Sequence, residues 1–121
     1  MAKRILIVDD DEMVRIAVSE LLKPEGYEID SVSSAKEALD KIEGEKYDLL
    51  VLDIIMPEMD GLELCRRVRA NKDLVELPII FLTAKSREQD RINGMEAGAN
   101  LFLSKPISPA KLLELVSETI G

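Results

Sequence analysis

The hydrophobic pattern of the chain switches repeatedly between a strand period and a helix period. Ile5-Leu6-Ile7-Val8 is a short unbroken apolar run rich in β-branched residues, as expected of a strand buried on both faces of a parallel sheet. Val14, Ala17, Val18, Leu21 and Leu22 then recur on one helical face, predicting an amphipathic helix. Pro24 and Gly26 end it. Tyr27 to Val32 predicts a weaker, half-exposed strand near a sheet edge. Ser34-Ala35-Lys36-Glu37 matches a capping box, and Ala35, Ala38, Leu39 and Ile42 supply the buried face of the second helix. Leu49 to Leu52 predicts the third strand, and Asp60-Gly61-Leu62-Glu63 caps a helix running to about Ala70. Pro78 precedes a fourth strand, Ile79 to Leu82. Ser86-Arg87-Glu88-Gln89 predicts the cap of a fourth helix, weakened toward its end by Gly94 and Gly98. Leu101-Phe102-Leu103 predicts a short fifth strand. Ser108-Pro109 reads as an N-cap with proline in the first turn, opening a last helix to about Thr119.

This is a strand followed by a helix five times over, with no linker, repeat or low-complexity stretch. Such alternation predicts an α/β fold, a (βα)5 doubly wound parallel sheet with right-handed crossovers and helices on both faces. The expected strand order is 2-1-3-4-5, a common doubly wound arrangement. One domain is expected to span residues 1–121.

Composition narrows the function. Lys and Arg total 16 against 24 Asp and Glu, a net charge of −8. Direct nucleic-acid binding is not expected of such a domain, because phosphate contacts need clustered basic residues. No apolar run reaches membrane-spanning length. Met1-Ala2-Lys3-Arg4 leads straight into the first strand, so no signal peptide is expected. The single cysteine, Cys65, excludes an intramolecular disulfide and suits a cytoplasmic location. It lies on the apolar stripe of the third helix and is read as core. With no histidine in the chain, Ser-His-Asp and Cys-His catalysis and His-ligated zinc are removed as internal options.

The chemistry gathers at strand ends. Asp53 follows the third strand, and Asp9 and Asp10 follow the first. In a 2-1-3 arrangement those strands are neighbours, so three carboxylates converge on one sheet edge. Close like charges need a cation or a proton between them. Mg²⁺, which takes one or two carboxylates plus substrate phosphate, is the simplest remedy. Asp9 to Glu12 could instead merely cap the first helix, but the convergence with Asp53 favours the metal. Thr83 ends the fourth strand and Lys105 follows the fifth. A hydroxyl and an ammonium facing a carboxylate suit a bound phosphoryl group.

Val8-Asp9-Asp10, Leu52-Asp53-Ile54-Ile55-Met56-Pro57-Glu58-Met59-Asp60-Gly61, Leu82-Thr83-Ala84 and Lys105-Pro106 together resemble a two-component response-regulator receiver domain, over essentially the whole chain. The resemblance implies a flavodoxin-like fold. It implies that Asp53 accepts a phosphoryl group from a sensor histidine kinase or phosphotransfer protein. Asp10, Asp53 and the backbone carbonyl of Ile55 would ligate Mg²⁺ directly, and Asp9 through water. Lys105 and Thr83 would bind the phosphoryl group, and Phe102 would be the switch aromatic. A cis Lys105-Pro106 bond is implied too, where sequence alone favours trans. Such a domain is not an enzyme acting on other molecules; it catalyses only its own phosphorylation and autodephosphorylation. An effector or dimer partner would meet the face of the fourth helix, fifth strand and fifth helix.

Asp11 makes a third aspartate where two are needed, and is read as a helix-start residue. A haloacid-dehalogenase-type phosphatase would use Asp9 and Asp11 as paired acids, but Met13 stands where that motif expects Thr or Val, and no cap domain is expected. An interaction domain that has lost phosphorylation is disfavoured by the intact Asp53, Thr83 and Lys105. Ile16, opposite the buried face of the first helix, and Met13 on its flank are candidate kinase-docking residues. Leu112, Leu113, Leu115, Val116 and Ile120 cannot all face the sheet, so part of the last helix is a candidate partner face.

Overall fold

Five parallel strands, β1 (Arg4–Val8), β2 (Glu28–Val32), β3 (Leu49–Leu52), β4 (Ile79–Thr83) and β5 (Leu101–Ser104), form one sheet in the order β2-β1-β3-β4-β5. They are seen in a computed structural model whose described residues are 2–121. The helices are α1 (Glu12–Leu22), α2 (Ala35–Gly44), α3 (Gly61–Ala70), α4 (Glu88–Ala97) and α5 (Pro109–Ile120). A short 3-10 turn, Lys23–Glu25, follows α1 and closes on Gly26 at φ 96°.

The unbroken apolar strands are explained by burial on both sides. Ile5, Ile7, Leu49, Val51, Ile80 and Leu82 face Val18 and Leu22 of α1 and Leu112 and Val116 of α5. The alternate residues Leu6, Val8, Leu50, Leu52, Ile79 and Phe81 face α2, α3 and α4. The strand period of two therefore feeds two cores rather than one core and solvent. Each fully buried Leu or Ile contributes about 1.5–3 kcal/mol relative to exposure, which makes β1, β3 and β4 the firmest part of the molecule. The edge strand β2 is only half-buried, as its weaker pattern predicts. Cys65 is fully buried in the core, with its Sγ 3.4 Å from the Ala97 carbonyl.

Register carries the strand ends to one place. Val8 pairs with Leu52, so Asp9 lies beside Asp53, and the Asp53 N–H donates to the Val8 carbonyl at 2.9 Å. Thr83 pairs with Ser104, and the Lys105 N–H donates to the Thr83 carbonyl at 2.8 Å.

Two local expectations need correction, and a third is narrowed. The fourth helix does not start on Ser86. Its N-cap is Arg87, whose N–H is taken by the Asp90 carboxylate at 3.2 Å. The capping box of α2 is displaced: Ser34 Oγ accepts from Glu37 N at 3.2 Å, but Glu37 returns to the Ser33 N–H at 2.9 Å. The spare apolar face of α5 is narrow. Leu112 and Val116 are buried and Leu113 and Ile120 pack on the same core, leaving Leu115 outside it.

Candidate functional site

Asp53 leaves the end of β3 with 6% of its surface exposed. Its Oδ1 accepts from the Ile54 N–H at 2.7 Å and, more weakly, from the Ile55 N–H at 3.4 Å. Its Oδ2 accepts from Lys105 Nζ at 3.1 Å. Asp9, at the end of β1, is equally buried. Its Oδ2 accepts from Lys105 Nζ at 2.8 Å and its Oδ1 from the Asp11 N–H at 2.9 Å. Lys105 thus bridges carboxylates from two different strands, having come from beyond a third. Asp10 is exposed, yet carboxylate oxygens of Asp9, Asp10 and Asp53 lie within 4.8 Å of one another.

Burial raises the Asp9 pKa above the ordinary carboxylate value; the hydrogen bonds from Lys105 and Asp11 oppose this without cancelling it. Burial acts to lower the Lys105 pKa, but the hydrogen bonds to Asp9 and Asp53 outweigh it and the ammonium is held more firmly protonated than usual. With all groups ionised, three carboxylates and one ammonium leave two net negative charges, the charge a divalent cation cancels. An all-oxygen, carboxylate-rich donor set suits a hard cation such as Mg²⁺. The residues present therefore fit that metal.

Thr83 is fully buried at the end of β4. Its Oγ1 accepts from the Lys85 N–H at 3.2 Å. It makes no hydrogen bond to the carboxylates, so it shares their edge without joining the Lys105 bridge. Lys85 is also paired with Asp90 of α4, 3.8 Å away, so the β4–α4 loop is tied at both ends. Phe102 of β5 is half-buried, its ring tilted 52° to that of Phe81 with centroids 6.1 Å apart. It lies beneath Gly94 of α4, where a Cβ would stand 2.7 Å from the Phe102 ring. That glycine is therefore needed for close packing as well as weakening the helix.

Ile55 follows Asp53 in the same loop with 54% of its surface exposed, and Met13 and Ile16 on α1 are exposed at 73% and 44%. Asp11 caps α1 by accepting from the Met13 N–H at 2.9 Å, which supports the register that gives Asp9 and Asp10 to the cluster. It leaves Asp11 engaged where a phosphatase would need a free acid. The Lys105-Pro106 bond is cis. Sequence reasoning missed Arg15, whose Nη1 donates to the Asp9 carbonyl at 2.8 Å. It also missed Gly61, whose missing Cβ lets α3 start against the Asp53 backbone. The Asp-Gly pair shows a helix start in sequence, but not what the glycine touches.

Comparison with known proteins agrees with this geometry. Residues 5–117 match the family described as response regulator receiver domain. The chain is 42% identical over 112 residues to the alkaline phosphatase synthesis transcriptional regulatory protein PhoP of Bacillus subtilis, covering 93% of the chain and 46% of that protein. It is 43% identical over 113 residues to the response regulator MprA of Mycobacterium tuberculosis, covering 93% of the chain and 48% of that protein. The chain thus spans about half the length of these curated relatives. Among solved structures, the chemotaxis protein CheY4 of Vibrio cholerae superposes with a TM-score of 0.92 at 31% identity, covering 98% of this chain and 99% of that one. A CheY-like receiver domain protein from Methanospirillum hungatei gives 0.92 at 35% identity, covering 99% and 94%.

Proposed function

The chain belongs to the response regulator receiver domain family, and from that premise we propose that it is a phosphorylation-controlled switch whose acceptor is Asp53. A sensor histidine kinase or phosphotransfer protein supplies the phosphoryl group. An Asp53 carboxylate oxygen forms the new bond to phosphorus while the donor's phosphorus–nitrogen bond breaks, and the leaving imidazole takes up a proton. The observation that carries this reading is the Lys105 ammonium, hydrogen-bonded at once to Asp9 and Asp53 beside the Asp10 carboxylate.

Mg²⁺, held by Asp10, Asp53 and the Ile55 carbonyl with Asp9 through water, would supply positive charge to the phosphoryl oxygens. The protein does the rest. The Ile54 N–H orients the acceptor carboxylate. Lys105 offers its charge to the incoming oxygens. Thr83, whose oxygen already accepts from Lys85, still has its own hydrogen to donate. Its movement toward the phosphoryl group would draw on the β4–α4 loop, and Phe102 would turn into the space released. The α4–β5–α5 face would then meet an effector or a second copy, while Met13 and Ile16 would contact the kinase. No described helix is long and apolar enough to cross a membrane.

Incubation with acetyl phosphate and Mg²⁺ followed by intact mass tests the reading. One phosphoryl group per chain, lost in Asp53→Asn and without metal, is expected. Full incorporation into Asp53→Asn would reject Asp53 as the acceptor.

A further inference from the structure

We propose that Arg15 is a positioning residue for the metal site, holding the peptide that carries Asp10. The inference rests on the proposed role of Asp9, Asp10 and Asp53 in binding Mg²⁺.

The three carboxylates are not held alike. Asp53 is fixed through its side chain by Ile54 N and Lys105. Asp9 is fixed through its side chain by Asp11 N and Lys105. No described donor reaches the carboxylate of Asp10, which is exposed. Its position depends on the backbone that delivers it. The peptide linking Asp9 to Asp10 has its carbonyl bonded by Arg15 Nη1 at 2.8 Å. Arg15 is half-buried on the first turns of α1, and its own N–H donates to the Asp11 carbonyl at 3.1 Å. Backbone and side chain of one residue thus hold both ends of the β1–α1 turn. A guanidinium donates along fixed directions, so the bond sets the tilt of the peptide plane as well as its place. A hydrogen bond from a charged donor is roughly twice as strong as a neutral one.

Charge and geometry predict opposite signs. A cation beside a cation site weakens metal binding through Coulomb repulsion, so if Arg15 acts only through charge, its removal tightens Mg²⁺ binding. If Arg15 holds the turn, its removal loosens binding, because Asp10 is then free to leave the converging arrangement. Groups behind metal ligands typically change affinity about 10–100-fold when removed.

The experiment is a Mg²⁺ titration of the metal-free full chain, followed by amide shifts in NMR, for wild type, Arg15→Ala and Arg15→Lys. The expected result is a Kd at least about tenfold weaker in Arg15→Ala. Arg15→Lys keeps the charge but loses the fork, and should recover little of that loss. In the metal-free Arg15→Ala protein, the Asp10 and Asp11 amides should shift while those of β3 and β4 stay in place. A Kd in Arg15→Ala that is unchanged or tighter overturns the proposal, as does full recovery in Arg15→Lys. Should Arg15→Ala fail to fold, Arg15→Lys decides alone, with weakened binding expected and wild-type binding overturning it. A wild-type chain that binds no Mg²⁺ rejects the reading of the site itself, a result distinct from any difference among variants.

Discussion

Replacing Gly61 with alanine tests whether the start of α3 and the acceptor aspartate share one packed unit. A Cβ at position 61 would stand 2.0 Å from the Asp53 carbonyl oxygen, 2.9 Å from the Asp53 carbonyl carbon and 3.0 Å from Ile54 Cα. All three atoms are backbone, so no rotamer change relieves the clash. Restoring ordinary contact near 3.5 Å requires the two segments to part by roughly 1.5 Å. That movement also breaks the bond from the Gly61 N–H to the Ile54 carbonyl, now 2.9 Å. Overpacking costs about 1–3 kcal/mol and the lost hydrogen bond about 0.5–1.5 kcal/mol, so a loss of about 2–4 kcal/mol is expected. In a domain of this size that lowers Tm by about 10 °C or more. The Asp53 carboxylate moves with its peptide, away from Lys105. A displacement of this order costs roughly 100-fold in rate. Stability is measured by urea unfolding followed by far-ultraviolet circular dichroism, since the chain has no tryptophan. Phosphorylation is followed by intact mass with acetyl phosphate. Gly44→Ala is the control: it ends α2 at ordinary φ and a Cβ there meets nothing within 4 Å, so a gain of about 0.4–1 kcal/mol rather than a loss is expected. A Gly61→Ala protein within about 1 kcal/mol of wild type, phosphorylated at a similar rate, would refute the coupling of helix start and acceptor.

Glu58 sits at φ 67° without being glycine, so Glu58→Gly should stabilise the chain by about 0.5–1 kcal/mol in urea unfolding, and a loss would show that its side chain matters more than the backbone strain. Asp9 has a raised folded pKa, so its ionisation costs stability as pH rises through that value. Asp9→Asn should therefore be more stable than metal-free wild type at pH 7, with the gain shrinking as acid protonates Asp9, and a gain that grows toward low pH would reverse the sign. The side chains two places beyond Asp53 and Thr83 are Ile55 and Lys85. Neither can accept a hydrogen bond from an attacking water and so orient it, as an amide or carboxylate could; Ile55→Asn with Lys85→Glu should therefore speed loss of the phosphoryl group roughly tenfold, about 1.4 kcal/mol in barrier, read by Phos-tag gel after donor removal. An unchanged decay would place control of the lifetime elsewhere.

Hydrophobic period is local, so the sequence by itself was sufficient for the elements it writes. Ile5 to Val8, Leu49 to Leu52 and Ile79 to Leu82 are strands because unbroken apolar runs of that length need cover on both faces. Chain order then demands parallel strands, and parallel strands put every strand end that matters on one edge. Asp9, Asp53, Thr83 and Lys105 were legible for that reason. Asp11 was separable because the strand end favours Asp9 and Asp10, which leaves Asp11 at the helix start; the structure shows it capping α1.

What the tertiary structure decided is how those residues meet. That Lys105 spans Asp9 and Asp53 depends on register between strands distant in sequence. Thr83 shares that edge without joining the bridge, its oxygen accepting from the Lys85 N–H. Arg15 reads as one more polar residue on α1 until its reach to the Asp9 carbonyl is known. Gly61 and Gly94 read as helix-start and helix-weakening residues, yet their missing side chains make room for the Asp53 backbone and the Phe102 ring. A glycine in sequence shows only that the backbone is permitted to do something unusual. Which atoms then occupy the vacated space is a property of packing in three dimensions, and no local pattern encodes it.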